Sequence, residues 1–175
     1  IIKGVGDEYL SLEDIIQTDL SFILPLNFPA PYEVSDPYDC LSLSLSEMKH
    51  WELAPANAAL LASKNISFAF TSEDLKNKTD ILAAIKKTVE YGLSEETALD
   101  ALTVIPAKML GIDSDYGRLK KGMVANFLVL DNSLFAKESH LLANWIQGQR
   151  YIINQKQNHD YRGTYVLTID GEILP

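Results

Sequence analysis

The chain has 175 residues, 47% of them hydrophobic and 22% charged, and a net charge of −9. That length fits one ordinary domain or parts of two, and the composition is that of a globular protein rather than a disordered tail. The acidic balance excludes phosphate-neutralising contact with nucleic acid, which needs clustered basic residues; Lys120-Lys121 is too short a run.

The single cysteine, Cys40, can form neither an internal disulfide nor a thiolate metal cluster. No apolar run approaches the ~20 residues of a spanning helix, so no membrane insertion is expected. No leader is visible at Ile1, and the compartment stays open, with cytoplasm and periplasm both expected as candidates. A start on the strand-like "IIKGV" suggests a chain cut from something longer.

Taken in order, "IIKGVG" reads as a short buried strand ending at glycines. "SLEDIIQTDL" reads as a helix, with Ser11 as N-cap and Asp14 at capping-box spacing. "SFILPLNFP" is a second apolar strand stopped by prolines. The span from about Ala30 to Ser46 reads as a long loop. A helical pattern then runs from about Ser46 to Lys64, broken or restarted at Pro55, with Leu53, Ala56, Leu60 and Leu61 on one face. "ISFAFTSED" is a third buried strand. "DILAAIKKTVEYGLS" is an amphipathic helix stopped by Gly92. Ser94 caps the next helix, and Pro106 opens one more that ends at Gly111.

After Gly117 the chain turns β-rich. "ANFLVLD", "LLANWIQGQRYII" and "YRGTYVLTIDGEIL" read as strands with turns between them, and "NQKQNHD" as a linker or hairpin loop. Strand, helix, strand in quick succession is the parallel α/β signature. Gly111, Gly117 and Gly122 are expected in turns, some with positive φ.

The ordered set Gly92-Leu93-Ser94, Ala98-Leu99, Thr103, Pro106-Ala107, Leu110-Gly111, Gly117, Leu119, Gly122, Asp131, Trp145 and Gly148 resembles the C-terminal third of the amidohydrolase superfamily. The imidazolonepropionase- and dihydroorotase-like metal-dependent hydrolases show this order. The resemblance covers residues 66–153 well and residues 1–65 loosely. It implies an α/β fold: the C-terminal part of a (β/α)8 TIM-like barrel over residues 1–116, then strands of a small composite β-sandwich over 117–154. Residues 155–175 would be a linker and the start of a further β-rich segment. It also implies hydrolysis of C–N bonds in a small amide substrate, with a divalent metal, zinc, in a longer parent. The partner would be the rest of that parent chain, which brings the N-terminal barrel strands.

Such hydrolases hold their metal through histidines on several strands, and the metal lowers the pKa of bound water. This chain has three histidines, His50, His140 and His159, and no pair at close spacing. His50 reads as a partly exposed residue near a helix start, and the other two as surface residues. On "IIKGVG", where the family brings a histidine, stands Lys3 or Val5. A lysine could act there only after carbamylation or deprotonation. No metal ligand and no cofactor is therefore assigned to this chain.

The candidate catalytic residues are Glu73 and Asp74, at the end of the third strand, where the family has an acid as base. Side chains alternate along a strand, so the two should diverge if strand geometry continues that far. Ala69, Thr71 and Glu73 share one parity; Phe68, Phe70, Ser72 and Asp74 share the other. Small residues suit a barrel interior, which puts Glu73 inside and Asp74 outside or in a helix cap. Two functions stand open: a catalytically incomplete fragment of a metal-dependent hydrolase, or a non-catalytic scaffold or binding domain of a larger protein.

Overall fold

The structure, a computed structural model, describes residues 1–154, 167–169 and 172–174. The segment "NQKQNHD" and His159 lie outside them, apart from Asn154 at the boundary.

Three short strands, β1 (Ile2–Lys3), β2 (Phe22–Pro25) and β3 (Phe68–Thr71), form a parallel sheet in that order. The register aligns Ile2, Phe22 and Phe68 on one face and Lys3, Ile23 and Ala69 on the other. Between the strands run α1 (Leu12–Ile15), α2 (Pro37–Ser42), α3 (Leu45–Leu53) and α4 (Asn57–Ser63). After β3 come α5 (Ile81–Glu90), α6 (Glu95–Leu102) and α7 (Val104–Met109).

The core sits on one face of this sheet. Phe22, Leu24 and Phe68 pack there with Ala58 and Leu61 of α4, Ile85 of α5, and Ala98 and Ala101 of α6. Burying each of the large side chains contributes about 1.5–3 kcal/mol. Thr88 is buried among them, and its hydroxyl donates to the Ile85 carbonyl one turn back. Phe68 and Phe70 share the helix-facing side and Ala69 and Thr71 the other, as expected, but the large Ile23, aligned with Lys3 and Ala69, falls on that second face.

Several local expectations need correction. Ile1 and Ile2 are 64% and 44% exposed, because β1 lies at the sheet edge and has a strand on one side only. Ser11 makes no side-chain cap. A 3-10 turn (Glu8–Ser11) leads straight into α1, so Ser11 lacks the extended backbone an N-cap hydroxyl needs. The capping box lies instead at Ser44 and Glu47, where Ser44 is extended. The loop read over Ala30–Ser46 contains α2: Asp36 accepts from the Tyr38 N–H at 2.9 Å, and Pro37 takes the first helical position. Helix α7 opens at Val104, before Pro106. A proline is tolerated in a first turn, whose N–H groups have no partner within the helix.

Beyond α7 the chain turns repeatedly, with Gly111, Gly117 and Gly122 at φ of 68°, 96° and 94°. Then β4 (Phe127–Leu130), β5 (Leu141–Ile146) and β6 (Gln149–Ile152) form an antiparallel sheet. Gln147 and Gly148 both have positive φ, as a two-residue hairpin turn of the right twist requires. Phe127 and Trp145 stack across the first pair, 5.3 Å apart. Phe135, in the β4–β5 connection, packs on the core, and Lys86 Nζ donates to the Ala136 carbonyl at 2.7 Å. Strands β7 (Leu167–Ile169) and β8 (Glu172–Leu174) pair with each other.

Candidate functional site

The C-terminal ends of β1, β2 and β3 lie side by side, because parallel pairing brings them to one edge of the sheet. Catalytic residues of parallel α/β barrels sit at such ends. Lys3 comes from β1. Glu73 and Asp74 follow β3.

Lys3 Nζ lies 2.9 Å from Glu73 Oε2 and 3.2 Å from Asp74 Oδ2. Alternation puts Asp74 on the outer face or in a helix cap; in the structure it turns to Lys3. The reason is that β3 stops at Thr71, and Ser72 to Leu75 close a turn with a 3.2 Å backbone bond. Alternation no longer governs the side chains there. Hydrogen bonds to Glu73 and then Asp74 raise the Lys3 pKa, which favours the ammonium.

A second set of groups anchors the loop after β1. Glu8 is buried; Oε1 accepts from the Val5 and Gly6 N–H groups at 2.6 and 3.2 Å. Its Oε2 accepts from Asn57 Nδ2 at 2.6 Å, and Asn57 Oδ1 accepts from the Tyr9 N–H at 2.9 Å. The carboxylate stands where a side chain on Gly4 would be: a β-carbon there would meet Glu8 Oε1, and would lie 2.9 Å from Glu8 Cδ.

His50 sits in the last turn of α3, not near its start, and is half-buried. Its Nδ1 is 3.1 Å from the Tyr9 hydroxyl, and the two rings stack. Burial pushes the Tyr9 phenol pKa up, and Asp7 adds to the shift. His50, Asn27, Phe28 and Gly6 line a shallow hollow beside the strand ends. His140 is far from this arrangement in the chain order: it pairs with Asp131 at 2.9 Å in the β4–β5 connection, and its side chain is 68% exposed.

Sequence reasoning missed Glu8, Tyr9 and Asn57. A signal existed for Asn57, because it interrupts the i, i+4 series Leu53, Asn57, Leu61 on the apolar face of a helix. No comparable signal marked Glu8.

Residues 39–172 match the profile of the Amidohydrolase family. The chain belongs to the amidohydrolase family. It is 38% identical over 68 residues to an N-acetylgalactosamine-6-phosphate deacetylase of Escherichia coli O157:H7, covering 38% of this chain and 17% of that protein. It is 41% identical over 58 residues to the N-acetylglucosamine-6-phosphate deacetylase of Homo sapiens, covering 33% of this chain and 13% of that one. The matched segments are thus small parts of these relatives. Among solved structures, an amidohydrolase from Thermotoga maritima MSB8 superposes with a TM-score of 0.67 at 20% identity, over 87% of this chain and 37% of that one. A prolidase complexed with N-methylphosphonate-L-proline superposes at 0.59 and 11% identity, over 83% and 38%. These likenesses show the mixed α/β fold.

The metal implied by the amidohydrolase family does not fit the residues at these strand ends. Both carboxylates there face an ammonium, and the bonds that raise the Lys3 pKa oppose the neutral amine that ligation or carbamylation needs. His50 Nδ1 is engaged by Tyr9. Among the described residues no three His, Cys, Asp or Glu side chains converge to hold a metal ion. Among them, too, no helix is long and apolar enough to cross a membrane.

Proposed function

We propose that this chain is the closing part of an amidohydrolase-type barrel, residues 1–116, followed by strands of a small composite sandwich, residues 117–154, and by the start of a further β-rich segment. Within its parent it acts as a non-catalytic scaffold or binding segment, completed by the N-terminal barrel strands. The observation that carries this reading is the Lys3 ammonium between Glu73 and Asp74, on the strand where the family brings a histidine. A positive charge held there repels the divalent cation that the family's chemistry requires.

A second reading is favoured by the names of the relatives, which are deacetylases of N-acetylated hexosamine phosphates. In it the parent hydrolyses a C–N bond of a small amide, its metal, zinc, comes from other strands, and Glu73 accepts a proton from the attacking water. The two readings part on measurement. The parent protein, purified without a tag, is assayed for zinc content and for release of acetate from N-acetylglucosamine 6-phosphate. The scaffold reading expects substoichiometric metal and no turnover. Stoichiometric metal, with turnover abolished by Glu73→Gln, would establish the second.

A further inference from the structure

Helices α2 and α3 carry an apolar stripe that lies bare. Tyr38, Leu41, Leu45, Met48 and Trp51 follow at steps of three or four residues, the spacing that aligns side chains along a helix, with a short break at Leu43 and Ser44. Such a stripe ordinarily faces a core. Here its members are between 42% and 82% exposed, and α3 has no buried residue. Helices in proteins gain most of their stability by packing an apolar face, and monomers rarely leave a large one open.

The stripe is flanked by acids: residues 36–52 hold Asp36, Asp39, Glu47 and Glu52 against one base, Lys49. A second bare region, the turns after α7, has the opposite sign. Leu110 and Leu119 are 71% and 74% exposed there, and residues 108–121 hold Lys108, Arg118, Lys120 and Lys121 against two acids, Asp113 and Asp115. Among the described residues, none of the four acids beside the stripe and none of these four bases forms an ion pair.

We propose that this chain pairs with a second copy of itself, the acidic stripe of one copy resting on the basic turns of the other. Two stripes face to face would set acid against acid, and an anionic lipid surface would be repelled in the same way. The turns offer what the stripe lacks: leucines for its apolar centre and cations for its rim. In a two-fold pair each copy gives both surfaces, so the contact is made twice. Five stripe side chains at these exposures present on the order of 600 Å². The two leucines bring each copy to the ~800 Å² per partner of a stable interface. Apolar burial holds such a contact together, and the charges choose which surface meets which. The pairing goes beyond both readings of the parent and depends on neither.

The test is sedimentation velocity of the full chain over a range of concentrations at low salt, with two double variants at exposed positions. Asp39→Lys with Glu52→Lys turns the flank of the stripe basic; Lys120→Glu with Lys121→Glu turns the second region acidic. Far-UV circular dichroism checks that both keep the fold. Wild type should form a dimer that weakens as salt is raised. Each double variant alone should dimerise at least about tenfold more weakly. Mixed in equal amounts, the two should form a mixed dimer, because each inverted surface then meets its opposite. A wild-type chain that stays monomeric at every concentration would overturn the proposal and leave the stripe to the rest of the parent. So would a dimer that the Lys120→Glu, Lys121→Glu variant leaves intact, the mark of stripe on stripe, or two variants that fail to pair when mixed.

Discussion

Glu8 and Asn57, 49 residues apart in sequence, meet in a 2.6 Å hydrogen bond inside the protein. With the Tyr9 N–H bond to the same Asn57, this contact fixes the segment after β1 to the start of α4. The carboxylate is acceptor to three N–H groups, and the amide is at once donor to it and acceptor from Tyr9.

Replacing Glu8 by Gln sets its amide NH2 against a donor, whichever way it is turned. Replacing Asn57 by Ala strips a buried carboxylate of one donor and Tyr9 N–H of its acceptor. Each change should cost about 1–3 kcal/mol, read from urea melts of the full chain. Backbone exchange at Val5 and Gly6 should accelerate in Glu8→Gln. Wild-type melts and exchange in both variants would remove the anchoring role.

Gly117 and Gly111 separate two costs. Both have positive φ, at 96° and 68°. A β-carbon at Gly117 would lie 2.9 Å from Ala107 Cβ and 3.0 Å from the Thr103 carbonyl oxygen, whereas at Gly111 it meets nothing within 4 Å. Gly111→Ala should therefore cost about 1 kcal/mol, from backbone strain alone. Gly117→Ala should cost more, because α7 must also shift. Equal melting temperatures for the two variants would contradict the contact argument.

Acid should loosen the β4–β5 connection. The His140 backbone N–H and then its ring hold the Asp131 pKa below the ordinary carboxylate value. The folded state thus binds this proton less readily than the unfolded chain. Its contribution is whole above the ordinary value of about 3.9 and is lost as pH falls through the lower folded value. A nuclear magnetic resonance titration should show Asp131 protonating below that ordinary value in wild type. In His140→Ala it should move part of the way back, since the backbone bond remains. An unmoved titration would show that the ring contributes nothing.

Ser44→Ala removes the hydroxyl that accepts from the Glu47 N–H and bonds the Glu47 carboxylate. The Glu47 pKa, lowered by the Ser44 hydroxyl and then its N–H, should rise toward its ordinary value. Amide exchange should speed up in the first turn of α3 and stay unchanged in α5. A uniform change across both helices would mean global destabilisation instead of a lost cap.

The sequence made the parallel sheet legible because its strands are apolar runs punctuated by Gly and Pro. Phe68 and Phe70 packed where their size and parity put them, with the helices. The glycine turns were legible for a similar reason, since few other residues take those angles. What escaped was whatever depended on where one regular element stops. Asp74 was assigned by alternation, and the strand ended at Thr71 before alternation could reach it. Ser11 looked like a cap until the preceding 3-10 turn took away its extended backbone. Glu8 and Asn57 are partners across 49 residues, a separation that leaves no local pattern to read.

The chain has two tryptophans, and they fall in different layers. Trp51 lies on the open side of α3, 42% exposed, in the part built on the parallel sheet. Trp145 stacks on Phe127 in the antiparallel sheet. Each therefore gives its own fluorescence signal for its own part of the protein. Denaturing the two single-tryptophan variants, Trp51→Phe and Trp145→Phe, side by side shows whether the two sheets come apart together or one after the other, and so whether Gly117 marks a seam or only a turn.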